Sequence, residues 1–332
     1  MTDFSIGGVA IGMRALVAPM SGVSDLPFRR AAAQQGARYV VTEMVAADQL
    51  AQGRRDVVQR AAMDEPSGEA LNIVQLVGRE AHWIGLGAKL AEEAGADIID
   101  LNMGCPSREV TGVLCGAALM QDLDKAERLI EAAVSATTRP VTLKMRLGWD
   151  DANRNAPELA VRAENAGVKA LTVHARTRNQ FYKGSCDWAA VAAVKAATRL
   201  PVIVNGDIVD DVSARQALAL SGADAVMIGR GACGRPWIAA AIDQALNDNR
   251  PMQEPAMQER LTIALAHLRD TLDFYGERFG LRVFRKHLAA YIEQAPYPAN
   301  AEARRAAKVR LCQLATPRDV ETELSALWKP VC

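Results

Sequence analysis

Cys105 stands in the run LNMGCPSREVTGVLCGAALM, Leu101 to Met120, with a second thiol, Cys115, further along. An ordinary thiol has a pKa of ~8.5, is mostly protonated at neutral pH and can act as a general acid; a buried, inert thiol is the everyday alternative. Neither cysteine has a metal-ligand partner nearby. No pair among the cysteines at 105, 115, 186, 233, 312 and 332 makes a CxxC, so no metal is expected. Other chemistry-bearing side chains sit where short apolar runs end: Pro19-Met20, Glu43, Gln75, Asn102, Lys144 with Arg146, His174 with Arg176, Asn205-Gly206-Asp207, and Gly229-Arg230. Polar groups inside apolar strands are costly unless paired. A set of them at nearly every run's exit is most simply explained by a ligand.

The runs that carry these residues are RALVAPM, YVVTEM, NIVQLVG, IIDLNMG, VTLKMRL, ALTVHAR, PVIVNGD and AVMIGRG. They are β-branched and nearly continuous, as strands buried on both faces must be. Ala-rich amphipathic segments lie between them, such as AHWIGLGAKLAEEAG, LDKAERLIEAAVSAT, APELAVRAENAG and DVSARQALALSG, and many of them end in Gly. The phrases AGAD, AGVK and SGAD feed the next strand. About eight β-then-α units fit a (β/α)₈ TIM barrel of roughly 250 residues. An open doubly wound sheet would carry a GxGxxG turn after its first strand, and VAPMSGVSD does not supply one.

The barrel is expected over residues 1–246, a polar, proline-bearing linker over 247–257, and a small helical domain over 258–332. Helical patterning in that last part is read from Gln258 to about Ala315. It carries a basic stretch, Arg278, Arg282, Arg285, Lys286, Arg304, Arg305, Lys308 and Arg310, against only Glu293 and Glu302. Such a stretch is a solvated helix face or a surface for a polyanion. Formal net charge over the 332 residues is zero, so a polyanion partner would have to meet a local patch. No run is long and apolar enough for a membrane span, and no secretory signal is evident, so reduced thiols in a cytoplasmic protein, a monomer, are expected.

In TIM barrels the loops after the seventh and eighth strands form a common phosphate site. Here they read NGD and IGRG. Gly206, Gly229 and Gly231 permit close backbone approach, and Arg230 adds a charge-assisted donor, so a phosphate-bearing cofactor is expected. Gln75, Asn102 and Lys144, on the third, fourth and fifth runs, span a width suited to a flat polar heterocycle. Lys144 could stabilise charge on a reduced flavin, or could form a Schiff base; spacing leaves both open.

The set APMSGVSD, TEMV, QLVG, LNMGCPSREVTG, GAALM, TLKMRLGWD, VHART, VNGDI and MIGRG, with a later RVFRKHL, resembles the tRNA-dihydrouridine synthases, most of all the bacterial B subgroup. The resemblance covers nearly the whole chain. It implies an FMN-bearing barrel, a helical domain gripping tRNA, and reduction of the C5–C6 bond of uridine with NADPH. It implies FMN contacts at Pro19, Met20, Ser21, Gln75, Lys144, His174, Asn205, Gly206, Asp207, Gly229 and Arg230. It implies uracil contacts from Asn102, Arg146 and Tyr182, tRNA contacts from Arg285 and Lys286, and Cys105 as the donor of a proton to C5. The subgroup points to position 17 of the D-loop. Cys115 reads as packing. Other readings are an FMN barrel acting on a small enone or pyrimidine, for which the basic helical part would be superfluous, and a tRNA-binding protein without activity.

Overall fold

The structure, a computed structural model, describes residues 4–64 and 70–328. Cys332 and the end of the 258–332 segment lie outside the described residues. A short antiparallel hairpin comes first, β1 (Ser5–Ile6) and β2 (Val9–Ala10). Eight parallel strands follow: β3 (Ala15–Val17), β4 (Tyr39–Ala46), β5 (Leu71–Val77), β6 (Ile98–Met103), β7 (Val141–Arg146), β8 (Ala170–His174), β9 (Val202–Asn205) and β10 (Ala225–Ile228). They close into a barrel in chain order, with β10 pairing back onto β3. The apolar runs are therefore strands buried on both faces, between the barrel interior and an outer ring of helices.

The outer helices occupy the Ala-rich segments, for example Ala81–Glu93, Leu123–Ala136, Ala156–Asn165 and Asp211–Ser221. The last of these shows the local logic. Asp210 accepts from the Ser213 amide at 2.7 Å to start it, and Gly222, at φ +65°, ends it in the left-handed conformation. The N-terminal hairpin packs at the end of the barrel where the strands begin: a Cβ on Gly7 would meet Pro140, just before β7. The composition did not announce this hairpin.

The last barrel helix runs Ile238–Asp248, and the next begins at Met257, so the irregular link is slightly shorter than the sequence suggested. Four C-terminal helices follow: Met257–Tyr275, Glu277–Gln294, Ala301–Cys312 and Pro317–Leu327. The fourth lies beyond the helical patterning evident in the sequence. Pro317 opens it behind the Thr316 cap, and it buries Val320 and Leu324. These helices share a second apolar core built on Phe284, Leu288, Tyr291, Leu311 and Trp328, into which Trp237 of the barrel reaches. They dock on the first barrel helix, Leu26–Gln34, where Arg30 pairs with Asp270 at 2.8 Å.

Candidate functional site

Strand register gathers the site. Asn102 of β6 lies opposite Lys144 of β7; Arg146 lies opposite His174 of β8, and His174 opposite Asn205 of β9. One rim, at the strands' C-terminal ends, therefore carries Cys105, Lys144, Arg146, His174, Asn205 and the β9 and β10 loops.

Beneath the rim runs a buried polar network. Asp100 accepts from Gln75 Nε2 at 2.6 Å and from the Thr142 hydroxyl at 2.7 Å. Asn102 Nδ2 donates to Gln75 Oε1 at 2.7 Å, and Asn102 Oδ1 accepts from the Gly104 and Cys105 amides at 3.1 and 2.9 Å. The chain of bonds thus ends on the backbone of Cys105. Gln75 is fully buried with both amide ends engaged, and Asn102 is similarly committed. These two position the Cys105 loop and the rim, and each amide nitrogen keeps a second N–H beyond the bond it makes here. Asp100, which has no role in the sequence analysis, anchors the network. It sits two residues before Asn102, so strand alternation places both on one face, and that alternation was the available signal.

Positive charge dominates above this layer. Lys144 Nζ donates to the neutral Asn205 Oδ1 at 3.0 Å. The Arg146 guanidinium is buried, yet it donates only to carbonyls, Gly104 at 2.7 Å, Thr177 at 2.9 Å and Phe181 at 2.8 Å. Its Nη2 makes no bond among the described residues. Burial pushes both cations down from their ordinary pKa values. Burial, followed by the surrounding cations, keeps His174 neutral. The Asp100 carboxylate beneath draws Lys144 part of the way back up, whereas Arg146 has only carbonyls as hydrogen-bond partners among the described residues, so the rim is suited to an electron-rich or anionic group.

Asp207, with φ of 54°, pairs with Arg176 at 2.6 Å and with Arg230 at 3.2 Å, and accepts from the Cys186 amide at 3.1 Å. It thereby holds both guanidinium groups beside the loop after β9. Arg176, in the loop after β8, belongs to the site although the resemblance gave it no role; its place in the HART run, two residues after His174, was the signal. Arg230 is 63% exposed, so it can still turn to a ligand. A Cβ on Gly206 would run into Cys186 Sγ and the His174 ring, and φ there is +116°. Gly229 differs: a Cβ there would meet nothing nearer than Ala18 Cβ at 4.0 Å, so its face is open to an approaching group. Gly231 instead packs against the β9 loop, where a Cβ would press on Ile208 O. Open backbone at Gly229, beside Arg230 and above the neutral polar side chains of β8 and β9, fits a phosphate with an attached heterocycle.

Cys105 is half-buried, and burial raises its thiol above the ordinary value, with Arg146 and Lys144 pulling the other way. Gly116, at φ +58°, packs on it: a Cβ there would meet Cys105 O at 2.9 Å. β6 ends at Met103, and the Asn102 side-chain carbonyl, accepting from the Gly104 and Cys105 amides, holds the turn that follows. Cys115 is buried, with the short Arg108–Thr111 helix in between, and its surrounding charges are Arg79, Lys125, Asp48 and Glu80 rather than the rim cations. Tyr182, 53% exposed, lies with its ring 5.5 Å from the Arg146 guanidinium and 5.2 Å from that of Arg230. Pro19, Met20 and Ser21 form the loop leaving β3, where Met20 O accepts from the Val23 and Ser24 amides, both at 2.9 Å.

The structure separates Arg285 from Lys286. Arg285 donates to Leu314 O at 3.3 Å and shares a cleft with Arg278, Phe279 and Arg282. Lys286 faces the barrel, with Nζ 4.0 Å from a Cβ built on Gly22. Lys308 pairs with Glu293 and Arg310 with Glu323, whereas Arg278, Arg282 and Arg285 have no carboxylate partner among the described residues.

A family model for dihydrouridine synthase (Dus) matches residues 16–325. The chain is 49% identical over 302 residues to a probable tRNA-dihydrouridine synthase of Rhodobacter capsulatus, covering 91% of this chain and 93% of that one. It is 40% identical to tRNA-dihydrouridine synthase B of Xanthomonas axonopodis pv. citri, covering 90% of this chain and 89% of that one. Among solved structures, a morphinone reductase superposes with a TM-score of 0.52 at 14% identity, covering 77% of this chain and 91% of that one, which speaks to the barrel fold alone.

Proposed function

The chain belongs to the dihydrouridine synthase family, and on that premise we propose that it reduces the C5–C6 double bond of a uridine in tRNA, with FMN as cofactor and NADPH as reductant. The observation that carries this reading is the convergence on one rim of the Cys105 thiol with Lys144 and Arg146, buried cations that make no ion pair with a carboxylate among the described residues.

FMN, when bound, supplies hydride chemistry to uracil C6. Gly206, Gly229 and Arg230 would hold its phosphate, with Asp207 aiming Arg230. Lys144, His174 and Asn205 would face its ring, with Pro19, Met20 and Ser21 at its edge and Gln75 supporting from below. Lys144 offers positive charge where electron density accumulates, and the neutral His174 offers an acceptor or a single donor. Cys105 Sγ–H donates a proton to C5. The raised thiol keeps that proton in place at neutral pH.

A uridine inside folded tRNA must leave its stack to reach the rim, which costs a few kcal/mol. Tyr182 offers a stacking face for the extruded base, and the unengaged Nη2 edge of Arg146 can meet a uracil carbonyl. Asn102 acts through the Cys105 loop it holds. The remainder of the tRNA is gripped through phosphates by Arg285, with Arg278 and Arg282, and by Lys286 at the barrel side. Such a substrate places the enzyme in the cytoplasm. Mapping dihydrouridine in tRNA from cells lacking this protein tests the assignment: loss at position 17 alone is expected, and an unchanged map contradicts it.

A further inference from the structure

Away from the rim, three ligand-type side chains meet where the C-terminal helices dock on the barrel. Asp25 caps the Leu26–Gln34 helix, His267 comes from Met257–Tyr275, and His287 from Glu277–Gln294. Each is 2% exposed. One ligand atom from each lies within 4.8 Å of the others, and His287 Nε2 is 4.0 Å from Asp25 Oδ1. Neither His267 Nε2 nor His287 Nε2 has a hydrogen-bond partner among the described residues. A buried imidazole nitrogen left without a partner is costly, and two of them on rings that flank one buried carboxylate call for a common explanation.

We propose that Asp25, His267 and His287 form a binding site for a divalent first-row transition metal, zinc fitting best, that staples the helical part to the barrel. The surroundings are those of a metal centre. His267 Nδ1 lies 3.1 Å from the Tyr291 hydroxyl, so the ring can donate from Nδ1 and present a lone pair at Nε2. Asp25 Oδ1 accepts from the Phe28 amide at 3.2 Å, and Tyr275 donates to Oδ2 at 3.3 Å. The Phe28 ring stacks on His287 at 5.7 Å, fixing its plane.

Metal–ligand bonds of ~2.0–2.2 Å require the three atoms to move inward by less than ~1 Å. Water would complete a tetrahedron. Lys286 is the adverse neighbour, and Glu43, which accepts from the Gly22 amide in the adjoining loop, offsets it. Nothing in the sequence spacing points here: the two histidines lie on different helices and the carboxylate about 240 residues away. A metal at this junction would depart from the sequence-based expectation of no metal.

The test uses tag-free, full-length protein, stripped with chelator and titrated with Zn²⁺ against a chromophoric competitor, with Co²⁺ as a spectroscopic probe. The parent is expected to bind one equivalent and to show the intense visible bands of tetrahedral Co²⁺. Asp25→Asn keeps the helix cap and the volume, and His287→Phe keeps the stacking. Since losing a residue behind a ligand already weakens metal binding ~10–100-fold, each of these should weaken it by at least ~10²-fold. Should His287→Phe fail to fold, Asp25→Asn decides alone. No uptake by the parent, or variants that titrate as the parent does, overturns the proposal.

Discussion

At the scale of single residues, the two thiols of one segment have different surroundings. Cys105 sits among Arg146, Lys144 and the Asn102-held loop, whereas Cys115 is buried away from the rim. Cys105→Ala should leave FMN bound yet slow dihydrouridine formation by about 10²-fold or more, the size of a missing general acid. Cys115→Ala should leave the rate near parent. Single-turnover product formation on unmodified tRNA measures both. The raised Cys105 thiol also sets a pH limb. The protonated form donates, so the rate holds through neutral pH and falls only above the ordinary thiol range of ~8.5. A limb falling towards acid instead would point to another donor. Arg230→Ala should weaken FMN retention, read from flavin absorbance after gel filtration, because a charge-assisted bond to the phosphate goes. Unchanged retention would leave Arg230 as a partner of Asp207 and Tyr182 only.

At the scale of elements, the loop after β10 decides how closely the C-terminal helices approach the barrel. Gly234, at φ +71°, lies against the backbone of the Glu277–Gln294 helix, where a Cβ would strike Ala290 and the Tyr291 amide. Gly234→Ala should therefore cost about 2 kcal/mol or more in urea unfolding, from both overpacking and the positive φ. A cost below ~0.5 kcal/mol would mean that the helix slides aside freely. The elements themselves were largely legible in the sequence. Continuous β-branched runs and Gly-stopped amphipathic segments specify buried strands and outer helices locally, and most of the rim residues close such runs. Three sets of contacts were not legible, although Gln75 and Arg176 themselves stand at the ends of such runs. Asp100 and Gln75 bond only across strands, and no single run reveals a cross-strand pair. Arg176 is tied to Asp207 through a loop fold. Asp25, His267 and His287 come together only when two cores dock.

At the scale of the whole molecule, a chain of zero net charge presents a cleft lined by Arg278, Arg282 and Arg285 against a single carboxylate, Glu277, and none of the three arginines pairs with a carboxylate among the described residues. Phe279 stands 53% exposed beside them. Replacing Arg282 and Arg285 by Ala should weaken tRNA binding and reduce its salt slope by roughly 0.7–0.9 for each phosphate no longer neutralised. Lys308→Ala, removing a lysine already paired with Glu293, should change the slope little. Equal slopes for all three proteins would place the tRNA elsewhere. On the proposed function, cleft and rim act together: one molecule would hold tRNA by its phosphates and reduce one extruded uridine. The most direct test of this function gives the purified, FMN-loaded protein NADPH and an unmodified tRNA transcript, then quantifies dihydrouridine in the nucleoside digest by mass spectrometry. Dihydrouridine accumulating with enzyme and NADPH is the predicted result; none formed by flavin-loaded protein that binds the tRNA would contradict it.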